Sequence, residues 1–96
     1  MGIQNEKCGA FYAQVQGRVQ GVGFRYSALA EAQRLGLCGW VRNTEDGKVE
    51  VWAEGHSEKL AVFSGWLHRG PQSARVDSVI HEAVKPIGYK NMDIKY

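Results

Sequence analysis

The apolar residues of this chain recur at two different spacings, and the order of those spacings restricts the fold more than any other feature. Between residues 9 and 16, apolar and polar residues alternate, as they do in a strand with one buried face. From Phe24 onward, apolar residues return every three or four positions, as on one side of a helix. The chain is therefore predicted to start with a strand, followed by a helix from about Gly23 to Leu35.

The same patterns predict two more strands, a second helix and a fourth strand. The predicted elements are strands over residues 37–43, 48–55 and 73–84, and a helix from its N-cap at Ser57 to the break at Gly70 and Pro71. The turn Thr44-Glu45-Asp46-Gly47 joins the second and third strands, because its Asp-Gly pair is typical of hairpins. The last residues, 92–96, predict a short edge strand.

The order β-α-β-β-α-β predicts an α+β fold, in which two helices cover one face of an antiparallel sheet. This arrangement is the ferredoxin-like βαββαβ sandwich. A chain of 96 residues is long enough for one domain. We expect residues 1–8 to form a frayed N-terminal segment and residues 9–96 to form a single domain.

Composition restricts the class of function only weakly. The net charge of +2 does not by itself indicate a nucleic-acid surface. No apolar run approaches the ~18 residues of a membrane span, and the first ten residues lack the apolar stretch of a signal peptide. We expect a cytoplasmic monomer without a membrane or nucleic-acid partner. The two cysteines, Cys8 and Cys38, are expected to be unpaired thiols, as is usual in the cytosol.

The segment GRVQGVGFR, residues 17–25, joins the first predicted strand to the first helix. Its glycines at positions 17, 21 and 23 allow a tight turn and the close approach of a ligand. The loop leads into a helix N-terminus, where free N–H groups and the helix dipole attract anions. Arg25, in the first helical turn, can add a bidentate contact to a phosphate. The pattern predicts a phosphate cradle; the alternative is a tight connection with a solvated arginine.

A second candidate residue, Asn43, lies at the end of the second predicted strand, just before the hairpin turn. An amide there can accept a hydrogen bond from a water molecule and direct that water at a phosphate held by the loop. This role requires the second strand to lie beside the opening of the loop. The alternative is a turn asparagine whose side chain bonds its own backbone.

Together, the segments GRVQGVGFR, GWVRNTEDGKVEV and GPQSARV resemble the acylphosphatase family, and the resemblance runs from about Phe11 to Tyr96. It implies the same βαββαβ fold and hydrolysis of the carboxyl–phosphate bond of acyl phosphates, which gives a carboxylate and inorganic phosphate. It also implies that Arg25 binds the phosphate and that Asn43 orients the attacking water. The implied cradle consists of the backbone N–H groups of Gln20, Gly21, Val22, Gly23, Phe24 and Arg25.

The sequence shows neither a nucleophile with its base nor a metal-ligand pattern, since His56, His68 and His81 are widely spaced. We therefore expect no metal and no cofactor. An acyl phosphate has a carboxylate leaving group, which needs little protonation. Phosphoryl transfer depends mainly on positioning and on charge stabilisation. The cradle with Arg25 can stabilise the charge, and Asn43 can position the attacking water.

Three alternatives to a free-standing enzyme stay open. In a noncatalytic phosphate- or anion-binding module of the same fold, Asn43 would be dispensable. An RNA-binding domain shares the βαββαβ order, but residues 48–55 lack the aromatic pattern of that class, although Trp40 and Trp52 could lie on the open sheet face. An acylphosphatase-like module of a larger carbamoyltransferase would bind carbamoyl phosphate; a chain of one domain favours the free-standing enzyme.

Overall fold

The computed structural model of the protein describes residues 8–96. The elements are β1 (Cys8–Arg18), α1 (Phe24–Arg34), β2 (Cys38–Asn43), β3 (Val49–His56), α2 (Ser57–Arg69), β4 (Arg75–Val84) and β5 (Met92–Lys95). The first six confirm the predicted βαββαβ order, and β5 is the predicted edge strand. Residues 1–7 of the predicted frayed segment lie outside the described residues, whereas Cys8 is already the first residue of β1. The division of the chain at residue 9 stays a prediction.

The five strands form one sheet in the order β4-β1-β3-β2-β5. β1 pairs antiparallel with both β3 and β4, and β2 pairs antiparallel with β3. β5, in contrast, lies parallel to β2. The predicted α+β class and the ferredoxin-like sandwich are confirmed, with one parallel pair at the edge that the sequence patterns did not specify.

A single apolar core lies between the sheet and the two helices. The alternating positions of β1 and β3 are buried, as predicted: Phe11, Ala13, Val15, Val49, Val51 and Ala53. The helices add residues at the expected three- and four-residue spacing: Phe24, Ala28, Ala32, Leu60, Phe63 and Leu67. No helix within residues 8–96 is long and apolar enough to cross a membrane.

The start of α2 differs by one residue from the predicted N-cap at Ser57. The N-cap is His56, whose Nδ1 accepts a hydrogen bond of 3.4 Å from the N–H of Glu58. The prediction was wrong because β3 runs directly into the helix. His56 ends the strand with extended dihedral angles and serves at once as the cap.

β1 extends beyond its predicted end at residue 16 because a β-bulge between Gln16 and Gly17 lets it continue pairing with β4. Gly17 has a φ of 137°, and a Cβ atom there would lie 2.2 Å from the carbonyl oxygen of Arg75. Only glycine fits such a close approach of two strands. The bulge directs the end of β1 into the loop that precedes α1.

Candidate active site

The loop between β1 and α1 passes through two glycines in the left-handed region. Gly21 has a φ of 76°, and Gly23 has a φ of 78°. A Cβ atom at either position would meet no protein atom within 4 Å. The requirement for glycine here comes from the backbone conformation, which other L-residues rarely adopt, and not from crowding.

The N-terminus of α1 presents free N–H groups at the end of this loop. Gly23 is the N-cap and offers no side chain to the first turn, which also contains no acidic residue. The N–H of Ser27 donates to the carbonyl of Gly23 over 3.0 Å. The preceding N–H groups of the first turn have no acceptor within the helix. This helix end therefore offers hydrogen-bond donors and a partial positive charge to an anion.

A small cavity of about 110 Å³ opens at this helix end. It is lined by Val19, Gly21, Gly23, Phe24, Arg25, Tyr26 and Asn43. Arg25 and Asn43, the two predicted catalytic residues, thus line the same cavity, together with three more residues of the predicted cradle. Gln20 and Val22 are not among the lining residues. A small cavity at a helix N-terminus suits one phosphate group.

The side chain of Asn43 has an unusual environment for a residue beside a turn. Its Oδ1 atom is buried, and within residues 8–96 it has no hydrogen-bond partner. The hairpin is closed instead by Thr44, whose Oγ1 accepts from the N–H of Lys48 over 3.0 Å. A buried acceptor without a partner costs about 1–3 kcal/mol. The turn-capping alternative gains no support, because Oδ1 bonds no backbone group of the turn.

Gln20 makes side-chain contacts that the sequence patterns did not predict. Its Nε2 donates to the carbonyl oxygens of Thr44 and Lys48, in each case over 2.8 Å. These bonds connect the loop to the hairpin that follows Asn43. Local sequence patterns do not encode these bonds, because they join residues 24 and 28 positions apart. The role of the Gln20 backbone N–H in the cradle stays a prediction.

The loop is also held on its other side. Ser73 lies in the third segment of the resemblance and donates through Oγ to the carbonyl oxygen of Val22 over 2.9 Å. Val19, at the start of the loop, is fully buried. The loop is therefore fixed to the core, to the β2–β3 hairpin and to the segment before β4, although two of its glycines leave open space around them.

Arg25 has two aromatic neighbours. Its Cζ atom lies 5.9 Å from the ring centroid of Tyr26 and 5.1 Å from that of Tyr96. The hydroxyl oxygens of the two tyrosines are 3.2 Å apart, and this hydrogen bond raises the pKa of Tyr96 above its usual value. Across residues 8–96, none of the four ion pairs includes Arg25. Its guanidinium donors are thus available to an anion.

Tyr96 reaches this site through β5. Arg42 of β2 pairs with Lys95 in the parallel register, so Asn43 and Tyr96 follow at the same end of the two strands. The sequence patterns did not indicate Tyr96 as a neighbour of the site. The signal that could have found it is the alternation of residues 92–96, provided that they are placed parallel to β2.

The histidines lie outside the cavity. His56 caps α2, and Nδ1 of His68 lies 2.8 Å from the carbonyl oxygen of Ser64 in the last turns of the same helix. His81 packs against Phe11, with 4.5 Å between the ring centroids. In the part of the chain that the structure describes, no three or more His, Cys, Asp or Glu side chains are grouped to hold a metal ion.

The tryptophans on the open face of the sheet are engaged by their neighbours. Trp40 donates through Nε1 to the hydroxyl of Tyr89 over 3.2 Å, and Nζ of Lys95 lies 4.8 Å from its ring centroid. Trp52 donates to the carboxylate of Glu54 over 2.9 Å. Base stacking would have to compete with these contacts, so the RNA-binding alternative gains no support from this face.

Comparison with known proteins identifies the family. The acylphosphatase family model matches residues 11–93. The chain belongs to the acylphosphatase family. It is 59% identical over 73 residues to the acylphosphatase of Pseudomonas paraeruginosa. The aligned residues cover 76% of this chain and 80% of that protein.

Solved structures confirm the fold of this acylphosphatase-family chain. The crystal structure of acylphosphatase from Bacillus subtilis is similar at a TM-score of 0.89 and 35% identity, covering 94% of this chain and 100% of that one. The structure of T. kodakarensis HypF is similar at a TM-score of 0.80 and 33% identity, covering 92% of this chain and 12% of that one. The same fold thus also occurs within a much longer chain.

Proposed function

We propose that this protein hydrolyses the carboxyl–phosphate bond of small acyl phosphates and releases a carboxylate and inorganic phosphate. The observation that carries the proposal is that Arg25 and Asn43 border one small cavity at a helix N-terminus. Membership in the acylphosphatase family supports the same reaction.

The phosphate group occupies the cavity in this proposal. Its oxygens accept hydrogen bonds from the backbone N–H groups of residues 20–25 and from the guanidinium of Arg25. Arginine binds such oxygens in a bidentate manner, and bonds between charged partners are roughly twice as strong as neutral ones. The donors are held in place before the substrate arrives, so they stabilise the charge that develops on the phosphoryl oxygens without reorganisation.

Asn43 orients the attacking water. One O–H of the water donates to Oδ1, which leaves a lone pair of the water oxygen directed at the phosphorus. The new P–O bond forms as the bond to the acyl oxygen breaks, and the electron pair of the broken bond goes to the carboxylate. The proton released by the water passes to a phosphate oxygen. We propose no metal or cofactor for this step, because the carboxylate is a good leaving group.

The decisive experiment measures hydrolysis of benzoyl phosphate in the presence of excess chelator, for the parent, Arg25→Ala and Asn43→Ala. Loss of one well-placed polar group at such a site typically costs roughly 3–4 kcal/mol, or 100- to 1000-fold in rate. We expect Arg25→Ala to lose both turnover and phosphate affinity. Asn43→Ala should lose turnover to a similar degree and retain its affinity for inorganic phosphate.

Matched controls remove the same residue types elsewhere. Arg69→Ala and Asn91→Ala truncate exposed side chains away from the cavity, and both should keep the activity of the parent. Full turnover of Asn43→Ala would refute its assigned role. A folded parent that binds inorganic phosphate but hydrolyses no acyl phosphate would instead be the noncatalytic anion-binding module.

We further propose that the protein acts as a monomer in the cytoplasm. Arg25 and Asn43, the two proposed catalytic residues, line one cavity within a single chain, which supports this proposal. Both Cys8 and Cys38 are free thiols, which suits a reducing compartment. Light scattering after size exclusion should give the mass of one chain, 10.7 kDa. Twice that mass would contradict the monomer.

A further inference from the structure

The cavity is small, and its donors suit the phosphate group and not the acyl part of the substrate. Its volume is only about 110 Å³, and the phosphate oxygens use the donors that line it. If the proposed function holds, on which this inference rests, the acyl group extends out of the opening. What lies at that opening therefore decides which acyl groups bind well.

Two tyrosine rings lie at the opening. Tyr26 lines the cavity and is 59% exposed, and Tyr96 is 87% exposed. These exposed fractions are high for large aromatic side chains, which are usually buried in large part. Their hydroxyl groups bond each other, and Arg25 lies within 6 Å of both ring centroids. The rings are thus placed beside the phosphate-binding group while much of their surface remains open.

We propose that Tyr26 and Tyr96 form the subsite for the acyl group and that this subsite favours aromatic acyl phosphates over small aliphatic ones. An aromatic acyl group on a phosphate held by Arg25 can pack against an exposed tyrosine ring in an offset or edge-to-face manner. A methyl group in the same place buries far less surface. The hydrogen bond between the tyrosines holds the two rings together, which reduces the entropy lost on binding.

A different role for the rings predicts a different pattern. The rings could instead only hold the guanidinium of Arg25 in place through cation–π contacts. In that case their removal would lower kcat/KM by the same factor for every substrate. An acyl subsite changes the preference between substrates instead. The ratio of kcat/KM for benzoyl phosphate to that for acetyl phosphate separates these two roles.

The experiment compares this ratio in the parent, Tyr26→Ala, Tyr26→Phe and Val62→Ala. Val62 is a matched control, since it is half exposed on α2 and does not line the cavity. We expect the ratio to fall roughly 3- to 10-fold in Tyr26→Ala, the range of one aromatic contact. Tyr26→Phe retains the ring but loses the hydrogen bond to Tyr96, so it should keep most of the ratio, and Val62→Ala should keep all of it.

A binding measurement keeps the inference independent of turnover. Calorimetry with benzoylphosphonate and acetylphosphonate, which are not hydrolysed at a P–O bond, should show tighter binding of the aromatic analogue to the parent. The difference should disappear in Tyr26→Ala. Equal loss for both substrates, or no change in preference, would overturn the subsite. A parent that hydrolyses neither substrate would refute the proposed function, while the calorimetric preference would still test the subsite.

Discussion

The two hydrogen bonds of Gln20 allow a direct test of whether catalysis depends on the position of the hairpin relative to the loop. The side chain reaches the carbonyl oxygens of Thr44 and Lys48, both at 2.8 Å, directly after Asn43 at the end of β2. Gln20→Ala removes both bonds but none of the donors that line the cavity. The distance between Asn43 and Arg25 then becomes less well fixed.

The expected magnitudes follow from these contacts. Each hydrogen bond contributes about 0.5–1.5 kcal/mol net, so Gln20→Ala should lower the free energy of unfolding by about 1–3 kcal/mol. Both carbonyls keep other backbone partners, because Gly47 N–H donates to Thr44 and Thr44 N–H donates to Lys48. We expect kcat to fall roughly 10-fold, which is less than the roughly 100-fold cost of a 1 Å displacement.

The assay is kcat for benzoyl phosphate together with inhibition by inorganic phosphate. Gln20→Glu has no N–H to donate and places a carboxylate against two carbonyl oxygens, so it should lose at least as much kcat as Gln20→Ala. Gln72→Ala, an exposed glutamine outside the cavity, is the matched control. Unchanged kcat in Gln20→Ala, measured on a folded variant, would refute the argument. A loss of phosphate affinity equal to the loss of kcat would show that Gln20 shapes the cradle and does not position Asn43.

Three further predictions concern stability and the thiols. Gly17→Ala should prevent folding or strongly lower the melting temperature, because its Cβ would clash with the Arg75 carbonyl. Glu54→Gln should lose roughly 1.5–3 kcal/mol in urea unfolding at pH 7, because the buried carboxylate accepts from three backbone N–H groups and an indole. Thiol titration of the air-exposed protein should count two free cysteines, since Cys8 and Cys38 pair with opposite sides of β3. Their Cα atoms are thus about 9–10 Å apart or more, beyond disulfide range.

The same carboxylate gives stability a pH dependence of known sign. Burial by itself raises the pKa of Glu54, but the hydrogen bonds from Ile87, Trp52, Gly88 and Tyr89 outweigh it, and the net pKa is lowered. The unfolded chain therefore takes up the proton first as the pH falls. Ionised Glu54 makes its full contribution to the free energy of unfolding above the usual glutamate pKa. This contribution is lost as the pH drops through the lower pKa of the folded state. Glu54→Gln should show a smaller loss of stability over that range than the parent.

The elements were predictable because their signals are local. Alternation over residues 9–16 and 48–55 and the helical spacing that starts at Phe24 each reflect one buried face. The hairpin turn and the glycines before α1 are likewise features of a few consecutive residues. The βαββαβ order leaves few alternatives to the ferredoxin-like topology. From the residue pattern alone, the closeness of Arg25 and Asn43 was conditional on the second strand lying beside the opening of the loop. The family resemblance implied that closeness, and both residues line one cavity.

The contacts that the sequence patterns did not predict depend on which strands are neighbours in the sheet. The parallel pairing of β5 with β2 brings Tyr96 to Arg25 across 71 positions in the chain. The contacts of Gln20 and Ser73 also cross the fold. No local periodicity encodes such contacts, since they require the register of the strands. The cap at His56 was missed for the opposite reason, because the strand and the helix share a boundary with no loop residues between them.

The distribution of hydrogen bonds around the hairpin explains how the unpartnered oxygen of Asn43 can persist. Turns usually draw on such side chains to satisfy the backbone. Here Thr44 closes the turn through Oγ1, and Gln20 binds the carbonyls that face the loop. The turn therefore does not depend on the Oδ1 of Asn43, which bonds no group of the hairpin, and the residue lines the cavity. Substitution of Asn43 should for this reason lower activity far more than stability, which is the pattern that separates a catalytic residue from a structural one.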